Sequence, residues 1–156
     1  GQSAAIAGAG AQCHRPTAPE LQDDAAWEGF VRRVLEAVRD TCPATVLVTT
    51  PEPAEMPLVS EAVAGRLAAL AARLARTGEV GGLVVVGGDG ARALLAGLGA
   101  TGIELVGSVA PGVPLGTLVD GEAAGMPIAT KAGGFGEEHA LVTAAEAVRT
   151  MRRSAR

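Results

Sequence analysis

The order in which apolar segments follow one another is the feature that most constrains the fold of this chain. From residue 23 onward, short runs rich in β-branched residues alternate with longer segments whose apolar residues recur at helical spacing. Strands are predicted at residues 45–50, 83–86, 103–109 and 127–130. Strands that alternate with helices predict an α/β fold, in which a mainly parallel sheet is flanked by helices in three layers and a single domain.

Two amphipathic helices precede the second predicted strand. The first is predicted to begin at Asp24, with Asp23 or Asp24 as the capping residue. Glu28 and Arg32 lie four residues apart on its solvent face. Its apolar stripe consists of Trp27, Val31, Val34, Leu35 and Val38. The stripe of the second helix consists of Val59, Val63, Leu67, Leu70 and Leu74. Both helices are therefore expected to pack one face onto a core.

The core must be built from aliphatic side chains, because the 156 residues contain only three aromatic ones, Trp27, Phe30 and Phe135. Such a core suits helices packed on a sheet better than an all-β sandwich. The scarcity of aromatic residues also argues against binding of single-stranded nucleic acid, which uses stacking platforms. With a formal net charge of −4 and dispersed arginines, the chain has no basic stripe, so nucleic acid is not expected as a partner.

No membrane partner is expected either, because Arg66, Arg73 and Arg76 interrupt the most apolar helical segment. The two cysteines, Cys13 and Cys42, lie far apart without the spacing of a zinc site, and they are interpreted as thiols of a reducing compartment. The first residues do not combine a charged segment with an apolar run, as a signal peptide would. These features predict a cytoplasmic protein.

The sequence pattern divides the chain into three parts. Residues 1–22 show no sustained period and are interpreted as a linker, a remnant or a partial element. Residues 23–152 form the predicted α/β domain, and residues 153–156 form a tail. Seventeen of the 22 glycines fall from Gly78 onward, so the second half is expected to carry the loops in which sites are usually found.

Lys131 is the single lysine of the chain, against twelve arginines, and it begins a glycine-rich loop. Its ammonium is a compact point charge that can reach a phosphate, and nearby glycines let backbone amides approach an anion. The predicted phosphate loop comprises Lys131, Ala132, Gly133, Gly134, Phe135 and Gly136. A solvated lysine in a tight turn is the alternative. Glu137 and Glu138 follow, and their negative charge opposes a phosphate at the start of the last helix itself.

A second glycine loop follows the strand at residues 83–86, and it comprises Gly87, Gly88, Asp89 and Gly90. Both loops leave the carboxyl ends of predicted strands, where ligands bind in α/β sheets. If the two strands are neighbours, a nucleotide can be held between the loops. Two roles stay open for Asp89, the cap of the following helix or a contact to Mg²⁺ or nucleotide.

Two further glycine motifs are interpreted from their context. Residues 111–116 are expected to form a loop that begins with a type II turn, and its Pro111, Gly112 and Val113 are either a pocket wall or a plain connection. Residues 97–102 match the string G-x-G-x-x-G, but they follow a helix and precede a strand. That context is the reverse of a dinucleotide site, so Gly99 is predicted to be a helix C-cap.

Three motifs in order, at residues 87–89, 110–114 and 130–136, resemble the C-terminal nucleotide-binding domain of the four-carbon acid sugar kinases. The resemblance is close over residues 82–148 and diffuse over residues 45–81. It implies an ATP-dependent kinase that phosphorylates a hydroxyl of a tetronate-type sugar acid, with Mg²⁺ as a cofactor. On this analogy the two glycine loops line the ATP site, with the turn at residues 111–113 beside them.

Three departures from the family pattern bear on activity. Gly90 stands where the family usually has threonine, and the family's Gly-Ser…Thr…Gln segment is not recognisable in residues 1–22. The sugar-binding domain with its acidic catalytic motif is not found in these residues. The expected function is therefore the ATP-binding domain of such a kinase, inactive without a sugar-acid-binding domain in the same or a separate chain. The alternative is a non-catalytic module that senses a nucleotide or phosphorylated metabolite, and a homo-oligomer stays open.

Overall fold

The computed structural model describes residues 2–41, 45–49, 60–133 and 138–154. The predicted α/β architecture is confirmed, because helices flank the strands on both sides. In chain order the elements are α1 (Gln2–Gly8), β1 (Gln12–His14), α2 (Ala18–Gln22), α3 (Asp24–Thr41), β2 (Val46–Val48), α4 (Ser60–Arg76), β3 (Leu83–Val86), α5 (Gly88–Leu98), β4 (Gly102–Ala110), β5 (Val113–Val119), β6 (Pro127–Lys131) and α6 (Ala140–Ser154).

The strands form a four-stranded sheet of order β3-β6-β5-β4 and a parallel pair, β1 with β2. Within the larger sheet β3 and β6 are parallel, whereas β5 is antiparallel to both of its neighbours. The sheet is therefore mixed rather than mainly parallel. The reason is the short turn between β4 and β5, because a connection of this length can join only antiparallel strands.

Helices cover both faces of the four-stranded sheet. On one face Leu94 and Leu98 of α5 pack with Ala72 of α4 against Leu83 and Ile128 of the strands. On the opposite face, α6 contributes two buried residues to a cluster with β5 and β6: Ala144, Val148, Val113 and Ala129. A third cluster joins α3 to α4, and it contains most of the two apolar stripes expected from the sequence. Of those stripes, Val59 lies outside the described residues.

The prediction of a loop at residues 111–116 is wrong after Gly112, because β5 begins at Val113. Pro114 and Gly116 disfavour a strand locally. The sheet accommodates Pro114 beside register irregularities in β4. Gly116 is required by a close approach, since a Cβ atom there would lie 2.3 Å from the carbonyl oxygen of Glu104. Pairing with β4 and β6 thus outweighs the local signals.

The segment of residues 2–22 contains α1, β1 and α2, and it packs with the rest of the domain. Ile6 and Leu21 are buried, and β1 pairs with β2. Thr17 caps α2 in a reciprocal arrangement with Glu20. These elements are three to seven residues long, too short for a sustained period. At the other end, α6 continues to Ser154, past the predicted start of the tail. The domain boundaries themselves stay predictions.

Candidate functional site

The two predicted glycine loops leave neighbouring strands. Strand β3 pairs in parallel with β6, in a register that sets Val85 opposite Thr130 and Val86 opposite Lys131. Parallel neighbours end at the same edge of a sheet, so the loops that begin at Gly87 and Ala132 start side by side. A nucleotide can be held between the two loops only if their strands are neighbours, and β3 and β6 are neighbours. This carboxyl edge is also where α/β sheets bind their ligands.

Gly87 joins the two loops directly. Its amide donates a 2.9 Å hydrogen bond to the carbonyl oxygen of Lys131, and its own carbonyl accepts the first bond of α5 from Ala91, at 3.1 Å. Its φ of +92° and ψ of 142° lie in a region that essentially only glycine occupies. The backbone of Gly87 is thus engaged on both sides, towards β6 and towards α5.

The first turn of α5 offers backbone amides without helical partners. Gly87 is the N-cap, no side-chain hydrogen bond caps this helix, and Gly88, Asp89 and Gly90 occupy the first turn. A Cβ atom at Gly88 would meet nothing within 4 Å, and one at Gly90 would reach only Val85, at 3.6 Å. As far as the described residues show, the space beside these amides is therefore open. Such a helix start attracts anions through its amides and its dipole.

Asp89 does not cap the helix, because Gly87 holds that position. The Asp89 side chain is 64% exposed, and its carboxylate lies 3.7 Å from the guanidinium of Arg92. A surface ion pair of this length contributes little to stability. Of the two roles left open by the sequence, capping is wrong, and the carboxylate stays accessible at the edge of the loop.

Lys131 is the last residue of β6 and is only 3% exposed, the one polar or charged side chain that is buried among the described residues. Its Nζ donates a 3.0 Å hydrogen bond to the carbonyl oxygen of Ala132. A buried ammonium loses hydration, and this neutral carbonyl, its partner among the described residues, compensates only part of that loss. The expected alternative of a solvated lysine is therefore wrong. An anion at this position would complement the charge.

The turn at Pro111 and Gly112 reaches the same edge of the sheet. Gly112 has a φ of +77°, as the third residue of a type II turn requires. Because Leu115 pairs with Ala129 in antiparallel register, β5 begins next to the end of β6. Val113 is 1% exposed and packs in the cluster with Ala129 and α6, whereas the two turn residues are exposed. The described parts of all three predicted motifs thus meet at one edge.

Part of the predicted phosphate loop is described and part is not. Ala132 and Gly133 are exposed, and a Cβ atom at Gly133 would meet nothing within 4 Å. Gly134, Phe135 and Gly136 lie outside the described residues, as does Glu137. Among the described residues, the start of the loop after Lys131 is therefore exposed, with open space at Gly133.

A cluster of polar residues for which the sequence predicted no site lies at the carboxyl ends of β1 and β2. The Nε atom of Arg15 donates to Oγ1 of Thr49 at 3.1 Å, and the amide of Thr49 donates to the carbonyl oxygen of His14 at 3.1 Å. Burial lowers the pKa of His14 below its ordinary value of 6.5. No signal marked these residues, since β1 is three residues long.

Neither a membrane helix nor a protein-built metal cage is found in the part of the chain that the structure describes. No helix there is long and apolar enough to cross a bilayer. The same residues contain no group of three or more His, Cys, Asp or Glu side chains that could hold a metal ion. Among the described residues, the carboxyl edge of β3 and β6 offers backbone amides, the Lys131 ammonium and the exposed Asp89 carboxylate.

The sequence of this chain is similar to those of known proteins. Residues 2–141 match the family model described as a nucleotide-binding C-terminal domain. The chain is 47% identical over 153 residues to a D-threonate kinase from Bordetella bronchiseptica, a match that covers 97% of this chain and 38% of that protein. It is 38% identical over 86 residues to a D-threonate kinase from Salmonella typhimurium, which covers 55% of this chain and 20% of that protein.

The fold is also similar to a solved structure, a domain of unknown function from Bordetella bronchiseptica with bound citrate, described as a domain-swapped dimer. The TM-score is 0.87 at 47% identity, and the match covers 95% of this chain and 37% of that one. The chain thus spans well under half the length of the relatives it matches.

Proposed function

The chain belongs to the family of nucleotide-binding C-terminal domains, and on that premise we propose that it binds ATP as one part of a four-carbon acid sugar kinase. The observation that carries the proposal is the meeting of the α5 start with Lys131 at the carboxyl edge of β3 and β6. The names of the two relatives, both D-threonate kinases, support the acceptor class. A cytoplasmic location, where ATP is abundant, belongs to the same proposal.

The phosphates of the nucleotide are proposed to lie between the two loops. Gly88, Asp89 and Gly90 contribute amides that have no helical acceptor, and Lys131 contributes an ammonium in a site of low exposure. Hydrogen bonds between charged groups are about twice as strong as neutral ones, and low solvent access strengthens them further. The turn at Pro111 and the buried Val113 form the wall on the β5 side.

Mg²⁺ is proposed to arrive with the nucleotide rather than in a cage of protein ligands. Sites of this kind commonly hold Mg²⁺ through substrate phosphates and one or two carboxylates. The exposed carboxylate of Asp89 fits that requirement, because it lies in the same turn as the open amides. When bound, the metal neutralises phosphate charge during phosphoryl transfer.

The acceptor hydroxyl is proposed to be activated by residues outside this chain. The Bordetella relative is more than twice as long as the matched region, and a sugar-acid-binding part fits within that additional length. The chain by itself is then expected to bind nucleotide without turning it over. Positioning and charge neutralisation are the contribution of a nucleotide-binding part to phosphoryl transfer.

A calorimetric titration tests the nucleotide site. Mg-ATP and Mg-ADP are titrated into the wild-type chain and into Lys131→Ala, with Arg153→Ala as a control that removes the same charge near the end of α6. Loss of one charge-assisted hydrogen bond is expected to weaken binding roughly 10- to 100-fold, and the control to leave it unchanged. Equal affinity for wild type and Lys131→Ala contradicts the proposal.

A second assay separates the kinase from the sensing alternative. Phosphate transfer from ATP to D-threonate is measured for the chain alone and with the sugar-acid-binding part of the Bordetella relative supplied. Turnover that occurs in the mixture but not with the chain alone supports the proposal that the chain is a kinase domain. Nucleotide binding with no turnover in either sample favours a non-catalytic sensing module.

Self-association is part of the proposal, on the example of the solved relative, which forms a domain-swapped dimer. In this chain β4 is an edge strand of the sheet, and its Leu105 and Val106 are 64% and 60% exposed. Edge strands that expose large apolar side chains favour association. Analytical ultracentrifugation of wild type and Val106→Lys is expected to show a dimer that the charge weakens, and a monomeric wild type contradicts this part.

A further inference from the structure

The backbone amide of Gly87 has no hydrogen left for a phosphate. Its amide donates to the Lys131 carbonyl at 2.9 Å, and its carbonyl accepts from the Ala91 amide at 3.1 Å. An amide carries one hydrogen, so a phosphate could take it only by breaking the bond to Lys131. The sequence groups Gly87 with the phosphate-binding glycines, but the hydrogen bonds separate it from Gly88 and Gly90.

The need for glycine at position 87 is conformational. A Cβ atom built there would meet nothing within 4 Å, so packing does not exclude a side chain. The φ of +92° excludes a side chain, because residues with a Cβ atom are strained in this region. That backbone conformation lets the chain leave β3, aim its amide at β6 and still begin α5 at the next residue.

The bond acts on the residue that carries the ammonium. Lys131 is the final residue of β6, and its side chain bonds the carbonyl oxygen of the residue that follows. The hydrogen bond from Gly87 to the Lys131 carbonyl therefore fixes the end of β6 relative to α5. It also fixes the positions of the Lys131 side chain and of the Ala132 carbonyl that this side chain contacts. We propose that Gly87 is a positioning residue that holds Lys131 in register with the first turn of α5, an inference that rests on the proposed nucleotide site.

A double-mutant cycle tests this role, with Mg-ADP as the probe. Gly87→Ala is expected to weaken binding roughly tenfold by displacing Lys131. In a Lys131→Ala background it is expected to have almost no further effect, because residues that act through one another are not additive. Gly65→Ala, on α4 with nothing within 4 Å of its Cβ position, is the matched control. Additive losses, or unchanged affinity in Gly87→Ala, overturn the inference.

The cycle also distinguishes the two proposals. If Lys131→Ala alone leaves binding unchanged, the nucleotide site itself is wrong. If Lys131→Ala weakens binding and Gly87→Ala adds its own loss, only the positioning role fails. If the role of Gly87 is merely structural, Gly87→Ala lowers the stability of the chain but leaves the NMR signal of the Lys131 side chain unchanged. Because the chain has one lysine, ¹⁵N-lysine labelling reports on Lys131 alone, and its Nζ resonance is expected to shift in Gly87→Ala but not in Gly65→Ala.

A measurement on the wild-type chain covers the case in which Gly87→Ala does not fold. With ¹⁵N-glycine and ¹³C′-lysine labels, a scalar coupling through the hydrogen bond joins the Gly87 nitrogen to the single lysine carbonyl. The coupling is expected to persist when Mg-ADP saturates the chain. Its loss on binding would mean that the Gly87 amide turns to the phosphate, and the inference would be overturned.

Discussion

The amide nitrogen of Gly87 lies 2.9 Å from the carbonyl oxygen of Lys131, and this bond joins two loops that are far apart in the sequence. One loop begins a helix whose first amides have no helical acceptor, and the other begins with a buried ammonium. Their meeting at the carboxyl edge of two parallel strands makes an anion site out of motifs that are weak individually.

Gly90→Ala is expected to have opposite effects on stability and on binding. Replacement of a helical glycine by alanine stabilises by about 0.5–1 kcal/mol, and the nearest atom, on Val85 at 3.6 Å, leaves room for the methyl group. The same methyl group occupies the open space beside the amides, so Mg-ATP affinity is expected to fall. Urea unfolding and calorimetry measure the two effects.

The matched control for that variant is Gly97→Ala, in the last turn of the same helix. Its Cβ position lies 3.7 Å from Ala72, an ordinary contact, so a similar gain in stability is expected. Nucleotide affinity should not change in this variant. Unaltered affinity in both variants would argue against phosphate binding at the start of α5.

Gly116→Ala is expected to destabilise the sheet. A Cβ atom at residue 116 would lie 2.3 Å from the backbone oxygen of Glu104 and 2.7 Å from Ile103. Because that oxygen belongs to the paired strand, the two strands must separate, at a cost of about 1–3 kcal/mol. Gly107→Ala on β4, with nothing within 4 Å, serves as the control and is expected to change the urea midpoint little. Equal midpoints for the two variants would contradict the close approach of β4 and β5.

Thr17→Ala is expected to reduce stability by about 1 kcal/mol, because it removes a helix cap. It is also expected to change the acid side of the stability profile. Burial raises the pKa of Glu20, but hydrogen bonds from the Thr17 amide, Arg33 and the Thr17 hydroxyl together outweigh it, so the pKa lies below its ordinary value of 4.5. A carboxyl group with a lowered pKa stabilises the fold above 4.5, and that contribution is lost as the pH falls through the folded-state pKa.

Urea unfolding between pH 6 and pH 3 measures the effect. Wild type is expected to lose stability more steeply below pH 4.5 than Thr17→Ala, since the variant lacks the hydroxyl that helps to lower the pKa of Glu20. Parallel profiles for the two proteins would show that this hydroxyl does not affect the titration of Glu20.

Lys131 is expected to resist acylation in the ligand-free chain, because its side chain is buried and its amine donates to Ala132. An Arg153→Lys variant adds a lysine at an exposed position near the end of α6 and provides the comparison within one sample. Mass spectrometry after brief treatment with an N-hydroxysuccinimide ester should find the new lysine modified well before Lys131. Equal rates would mean that the ammonium is open to solvent.

Local signals in the sequence were sufficient for several elements. Strand β3 covers the four residues expected, and α3 begins at Asp24 with the Asp23 carboxylate accepting from the Ala26 amide at 2.8 Å. Gly99 ends α5 with a φ of +66°, as its context indicated. Each of these features depends on residues within one or two turns, so composition and spacing were enough to find them.

Features that depend on partners distant in the sequence were not predicted. Glu28 pairs with Arg73 of α4 at 2.8 Å, a partner 45 residues away in the sequence. Strand β5 was missed because Pro114 and Gly116 look like loop residues, and only their neighbours in β4 explain them. Local propensity is a weak guide where pairing across the sheet supplies the larger free energy.

The sequence by itself determined the α/β class, the start of α3, the end of α5, and the identity of the loops that could hold a phosphate. Only the tertiary structure decided that β3 and β6 are neighbours and that Lys131 is buried. It also decided that the Gly87 amide donates a hydrogen bond to the Lys131 carbonyl. The physical reason is that strand order and register follow from burial of both sheet faces by helices, which no single segment encodes. A glycine loop beside a lysine becomes an anion site only when that packing brings the two together.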